Sequence, residues 1–287
     1  MKKIVSLILA VLMLACVLTG CANNDPAPAE TPAASEEPTT IRVGAMTGPT
    51  AMGMVKLMDE SDKGESANKY EFSLQTEATA FAPALTKGEI DIAAVPANLA
   101  SVIYNNTNGG IKVLAVNATG VLYIVERGNS ISSFADLAGK KLYATGEGAT
   151  PEFALRYLLK ANGLDGDNAP TIQWCADTTE ALSYISNDEN AVAMLPQPFV
   201  TAAQTKVEGL NVALNLNEEW QKVNDGASMA TGVIVVRTEF AEKYPQQLEK
   251  FMQEYAESVK FVNENTEQAA ELIGNYEIVK APIALKA

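Results

Sequence analysis

FADLAGKKLYATGEGATPEFALRYLLKANGL, residues 134–164, decides the architecture of the 287-residue chain. A short polar turn leads into a strand at Lys141–Thr145 and a glycine loop at Gly146–Thr150. A helix follows over Pro151–Asn162, with Phe153, Leu155, Leu158 and Leu159 apolar. Pro151 suits the first helical position, where its missing N–H would have had no partner. Thr150 is the expected N-cap, and Glu152 adds negative charge near the positive end of the helix. Gly146 and Gly148 let the backbone turn N–H groups outward there, so the loop predicts a small concave site for an anion or a carbonyl. It is neither G-x-G-x-x-G nor a Walker motif, because the third glycine and the Lys-Ser/Thr pair are missing.

The same unit recurs on both sides. Upstream, strands at Ile41–Ala45, Tyr70–Glu77, Ile90–Val95 and Ile111–Asn117 alternate with helices over Pro49–Asp62, Thr79–Lys87 and 96–104. Downstream, strands at Thr171–Cys175, Ala191–Leu195 and Leu210–Leu216 alternate with helices at Thr178–Ser186 and after Pro196-Gln197-Pro198. Short apolar strands alternating with helices predict an α/β fold of mainly parallel sheets covered on both faces. In such sheets ligands bind off the carboxyl ends of the strands, where the loops at 46–50, 96–98 and 117–119 fall.

Two internal echoes organise the chain. Residues 84–99 (ALTKGEIDIAAVPANL) and 181–199 (ALSYISNDENAVAMLPQPF) both read as helix end, polar turn, buried strand and proline loop. They predict two lobes of like plan. Residues 119–125 (TGVLYIV) and 231–236 (TGVIVV) predict two connecting strands, and hence a hinge. A long helix, Pro245 to about Glu264, carries a core stripe of Leu248, Phe251, Met252, Tyr255, Val259 and Val262, and a short helix spans Thr266–Gly274. The sequence stops at Ala287 without a cap or polar tail, which predicts a truncated end.

The other end is a targeting segment. Lys2 and Lys3 form a positive n-region, Ile4 to Val17 a short apolar h-region, and Leu18-Thr19-Gly20-Cys21 resembles the lipobox of bacterial lipoproteins. That resemblance implies cleavage before Cys21, acylation of its thiol and a lipid-anchored place on the outer face of the cell membrane. Residues 22–40 hold four prolines and no aliphatic side chain larger than alanine, so they predict a disordered tether. Residues 41–287 remain for the fold.

Composition excludes several classes. A net charge of −14, made more negative by loss of Lys2 and Lys3, repels nucleic acid and anionic headgroups. The absence of histidine removes His-based triads and most zinc or iron sites, so neither cofactor nor metal is expected. Cys16 leaves with the leader and Cys21 is acylated, so Cys175 has no disulfide partner. The acid pairs Asp59/Glu60 and Glu36/Glu37 read as surface and tether charges rather than general acid–base groups.

Three motifs carry a family resemblance: Ala84-Leu85 with Gly88-Glu89-Ile90-Asp91-Ile92-Ala93; Ile131 with Phe134-Ala135-Asp136-Leu137-Ala138-Gly139-Lys140-Lys141; and Gly146 with Leu155, Leu158-Leu159 and Gly163-Leu164. With the lipobox, the chain resembles a solute-binding lipoprotein of a bacterial ABC importer. The kind is the type-II periplasmic binding protein, in the group of sulfonate, taurine, nitrate and thiamine-pyrimidine binders. One departure is Asp188-Glu189-Asn190-Ala191-Val192, where family members often carry Gly-x-Val-Asp-Ala.

The resemblance implies a monomeric two-lobe clamp, residues 41–118 with 232–287 forming lobe one and 119–231 lobe two, and partners in a small solute and an ABC permease with its ATPase. The ligand contacts it implies are Thr47, Gly48, Pro49, Thr50 and Met52 after the first strand, Pro96, Ala97 and Asn98, then Asn117 and Thr119 at the crossover. It adds Gly146, Gly148, Ala149 and Thr150 at the helix start, with Gln197 and Pro198 on the far wall. Tyr123 and Trp174 are candidate cleft aromatics. None of the four arginines, Arg42, Arg127, Arg156 and Arg237, sits in a cleft loop, which favours a neutral or zwitterionic aromatic or heterocyclic solute over an inorganic anion. The enzyme branch of this fold, pyrimidine synthase, uses histidine as a reactant, so catalysis is not expected here. A surface sensor is the alternative to a transport receptor; no helix-turn-helix precedes the fold, and the lipobox argues for export.

Overall fold

The computed structural model describes residues 39–286. The expected leader, most of the expected tether and Cys21, the expected acylation site, lie outside the described residues. Ten strands run in chain order as β1 (Thr40–Met46), β2 (Lys69–Gln75), β3 (Ile92–Pro96), β4 (Ile111–Thr119), β5 (Leu122–Arg127), β6 (Lys141–Thr145), β7 (Thr171–Cys175), β8 (Val192–Pro196), β9 (Leu210–Asn215) and β10 (Ala230–Arg237). They build two five-stranded sheets, ordered β2-β1-β3-β10-β4 and β7-β6-β8-β5-β9.

The two sheets share one plan. In the first, β1 pairs in parallel with β2 and β3, while β10 runs antiparallel to β3 and to β4. In the second, β6 pairs in parallel with β7 and β8, while β5 runs antiparallel to β8 and to β9. The sheets are thus mixed, and the reversed strand in each is the one that arrives from the other sheet. The echoed segments land in equivalent places: β3 matches β8, and β5 matches β10. The first crossing is a tight one at Gly120-Val121. Gly120 has φ +60°, and a Cβ on it would come within 2.5 Å of Asn217 Cβ, so glycine is needed there.

Helices cover both faces of each sheet, which is why the central strands are apolar without alternation. In β3 and β10, Ile92, Ala94, Ile234 and Val236 join the core beneath helices Val55–Lys63 and Pro245–Glu264. Their neighbours Ala93, Val95, Val233 and Val235 face Phe81, Leu85, Ala100 and Ile103 on the opposite side. The second sheet repeats this, with Leu142, Ala144, Val192 and Met194 against helix Thr150–Ala161 and Tyr143, Ala193 and Leu195 against Ala181, Ile185 and Val200. The sequence Asp188 to Val192 still makes its turn. Ala191 N–H donates to Asp188 O at 3.1 Å and Asn190 N–H to Asp188 Oδ1 at 2.9 Å, so the aspartate supplies a local closure.

The helix expected over Pro49–Asp62 is two pieces, Pro49–Met52 and Val55–Lys63. Buried Ser258 from the long C-terminal helix causes the break. Its hydroxyl donates to Gly53 O at 2.8 Å and accepts from Leu57 N–H at 3.2 Å, replacing rungs of the helical ladder. Among the described residues no helix is long and apolar enough to cross a membrane.

Candidate functional site

Strand ends from both sheets meet at a cavity of about 370 Å³. Pro49 and Met52 come from the short helix after β1, and Asn117, Ala118 and Thr119 from the end of β4. Val121, Gln197 and Pro198 form the wall from the second sheet. The C-terminal helices Pro245–Glu264, Thr266–Asn275 and Ala281–Ala284 close the remaining side with Val262, Thr266, Ala269, Ala270, Ile273 and Ala284. No lining residue carries a charge. The volume suits a small molecule, and a mostly apolar wall with a few placed polar groups is the usual composition of such a site.

Asn117 is the best-defined polar group. Its Nδ2 donates to Thr50 O at 2.8 Å, which fixes the amide so that the other end must be Oδ1. That oxygen is buried and has no hydrogen-bond partner among the described residues. A buried acceptor left unpaired costs about 1–3 kcal/mol. Opposite it on β10 lies Gly232, where a Cβ would fall 2.7 Å from Asn117 Oδ1 and 2.7 Å from Thr50 Cγ2. Tyr255 stands beside the same amide; burial pushes its phenol up to about 12, with Asn117 drawing it slightly down. Across the cavity, Gln197 Oε1 accepts from Thr201 N–H at 3.3 Å and from its hydroxyl at 3.0 Å. Gln197 Nε2 is thereby left as a donor with no protein partner among the described residues. The cavity is lined by the polar residues Asn117, Thr119, Gln197 and Thr266 in an uncharged setting.

Of the expected contacts, Pro49, Met52, Asn117, Thr119, Gln197 and Pro198 line this cavity and the rest do not. Thr47 donates through both N–H and hydroxyl to Gln75 O, at 2.8 and 3.2 Å. Gly48 precedes the short helix, and Thr50 is buried with its hydroxyl on Met46 O at 2.5 Å. Thr50 therefore supports Asn117 from behind. Pro96 pairs with Gly232 at the end of β3, and Ala97 packs on the core.

The loop at 146–150 is corrected in its chemistry. Three of its N–H groups are already bonded within the protein: Gly148 N–H donates to Glu152 Oε2 at 2.7 Å, Ala149 N–H to Gly146 O at 3.1 Å and Thr150 N–H to Asn98 Oδ1 at 3.1 Å. The Gly148 N–H, with Arg156 beyond it, holds the Glu152 carboxyl below its ordinary range. The residue at the N-cap is Ala149 rather than Thr150, because the Thr150 hydroxyl is engaged across the gap with Asn98. Tyr123 and Trp174 do not line this cavity; each is partly buried, Tyr123 against the core around Val125 and Tyr143 and Trp174 against the core around Leu142.

Sequence reasoning missed the C-terminal wall. Val262 reads as part of an apolar stripe, and Ala269, Ala270 and Ile273 form the buried face of a short helix, so neither pattern distinguishes a cavity wall from core. A second cavity, about 500 Å³, shares Pro198 and is lined by helix faces such as Leu182, Phe199 and Ala203 with Val279 and Ile283. Helix faces make most of its lining, with Leu195 at the end of β8, and among the described residues no buried unpaired polar side chain lines it.

Residues 110–269 match the profile described as NMT1/THI5 like. No curated protein matches the sequence. Among solved structures, the chain is similar to an ABC transporter protein from Parabacteroides distasonis, at 22% identity and TM-score 0.69 over 86% of this chain and 84% of that one. It is similar to the periplasmic aliphatic sulphonate binding protein SsuA from Escherichia coli, at 19% identity and TM-score 0.69 over 87% and 78% of the two chains. The periplasmic nitrate-binding protein NrtA from Synechocystis PCC 6803 follows at 15% identity and TM-score 0.60 over 83% and 66%. At these identities the likeness is one of fold, and the fold is that of type-II periplasmic binding proteins.

Proposed function

Because the chain belongs to the NMT1/THI5-like family, we propose that it is an extracytoplasmic solute-binding lipoprotein that holds a small organic solute between its two sheets and delivers it to an ABC permease. In this reading residues 41–118 with 232–287 move as one half and 119–231 as the other, hinged near Gly120. A solute touching both halves stabilises the closed arrangement by its greater affinity for that arrangement than for the open one. Cys21 carries the lipid, and the protein binds without turnover.

The observation that carries this reading is the uncharged cavity at the strand ends, with Asn117 and Gln197 among its lining residues. The solute class follows from it. A sulfonate or nitrate is bound most strongly by a charged partner, and no residue lining the cavity carries a charge. A neutral or zwitterionic heterocycle offering an N–H to Asn117 and an acceptor to Gln197 fits the groups present. The ring has Met52, Val121, Pro198 and Ile273 to lie against.

A melting-shift panel of pyrimidines, flavin precursors, sulfonates and nitrate tests the proposal. A true solute at a hundredfold excess over its Kd stabilises by about 2.7 kcal/mol. The neutral heterocycles should raise Tm, and the solute recovered afterwards should be chemically unchanged. A shift with nitrate or small sulfonates alone would overturn the solute class; conversion of the solute would overturn the binding-only role.

A further inference from the structure

Two helix starts face each other across the gap between the sheets. Helix Ala97–Asn106 follows β3 of the first sheet, and helix Thr150–Ala161 follows β6 of the second. Both present N–H groups at the positive ends of their dipoles, an arrangement that is repulsive unless acceptors stand between them. Asn98 and Thr150 supply those acceptors. Asn98 Oδ1 accepts from Thr150 N–H at 3.1 Å and from its hydroxyl at 2.9 Å. In return Asn98 N–H donates to Thr150 Oγ1 at 3.4 Å, and Asn98 Nδ2 donates to Gly148 O at 3.3 Å. One asparagine thus makes every one of these bonds to the opposing loop, and neither Asn98, Gly148 nor Thr150 lines the 370 Å³ cavity.

We propose that Asn98 is a latch, a positioning residue that sets how strongly the two halves hold together, independently of which solute lies in the cavity. The inference rests on the reading of two halves closing around a solute. Apparent affinity scales with the fraction of molecules in the binding-competent arrangement, so a latch outside the cavity changes the Kd of every solute by one common factor. Discrimination between solutes then belongs to the residues that line the cavity.

The test needs no solute. Tyr104 and Phe153, which are 55% and 56% exposed, lie on the two helices concerned. Replacing both with an azide-bearing phenylalanine allows dye attachment on the full chain and single-molecule energy transfer across the gap. Asn98→Ala should shift the closed-to-open ratio by about tenfold toward the longer distance. Asn98→Asp keeps the acceptor for the Thr150 N–H and hydroxyl, and should stay near the parent distribution. A merely structural role would not be rescued in this way. Should Asn98→Ala fail to fold, Thr150→Val, which removes the hydroxyl and keeps the shape, should give a smaller shift in the same direction. Identical distance distributions for the parent and the folded variant would overturn the latch. If distances shift as expected and the solute panel is silent, the solute class fails and the latch stands.

Discussion

Asn117 Nδ2 donates to the backbone oxygen of Thr50 at 2.8 Å, and this one contact ties the end of β4 to the short helix after β1 while leaving Asn117 Oδ1 buried and unpaired beside Gly232. Asn117→Leu keeps the volume and removes both ends of the amide. Loss of an acceptor for a ligand N–H should weaken binding by about 1–3 kcal/mol, roughly 5- to 150-fold in Kd. Folding stability should change by less, because an unpaired acceptor disappears together with a bonded donor. Calorimetric titration and a melting curve on the same sample read the two effects; an unchanged Kd would place the site elsewhere.

Gly232→Ala tests the same amide from the other side. The added Cβ would sit 2.7 Å from Asn117 Oδ1, 2.7 Å from Thr50 Cγ2 and 3.1 Å from Ala118 Cβ. These are packed atoms on one strand and a helix, so the neighbours must shift, at about 1–3 kcal/mol. The expected result is a Tm lower by several degrees and a Kd raised with it, since Asn117 is displaced. A stabilised variant with parent affinity would show that β10 yields there freely.

Much of this was legible in local pattern. The period and punctuation of residues 134–164 place β6, the glycine loop and its helix correctly, and the paired echoes identify β3 with β8 and β5 with β10. What local pattern could not supply comes from distant partners. Ser258 splits a helix 205 residues away by bonding Gly53 O, and Thr150 leaves the N-cap because Asn98, in another sheet's loop, competes for its hydroxyl. The wall made by Thr266, Ala269, Ala270 and Ala284 has the composition of ordinary core, so only the return of the C-terminal helices to the strand ends reveals it.

Asp91→Ala separates stability from binding. Asp91 is buried at the start of β3, the end away from the cavity, and its carboxylate takes Arg42 at 2.6 Å and Arg237 at 3.1 Å. The bond from Asp91 holds the Arg42 guanidinium above its ordinary range. Removing the shared anion from a fully buried pair costs about 3–5 kcal/mol. Arg42 is 39% exposed, and water there reduces the expected loss to about 2 kcal/mol. Tm should fall by about 4–8 °C. Solute affinity measured below the new Tm should match the parent, and a matching loss of affinity would show that the core of the first sheet transmits to the site.

Asp136 gives the fold an acid-sensitive joint. Its carboxylate accepts the N–H and hydroxyl of Ser132, at 2.9 and 3.0 Å, and those of Ser133, at 2.8 and 3.0 Å, capping the turn that feeds β6. These bonds favour the charged form and hold its pKa down at about 2. With a folded value below the ordinary aspartate value near 4, the contribution is fully present above about pH 4 and is lost as pH falls toward 2. Asp136→Asn, which cannot ionise, should therefore lower Tm at neutral pH, with the gap to the parent closing between about pH 4 and pH 2. Parallel melting curves over that window check the sign. A gap that stays constant across it would mean that Asp136 stabilises the fold equally whether charged or protonated, and so that its pKa is not held down.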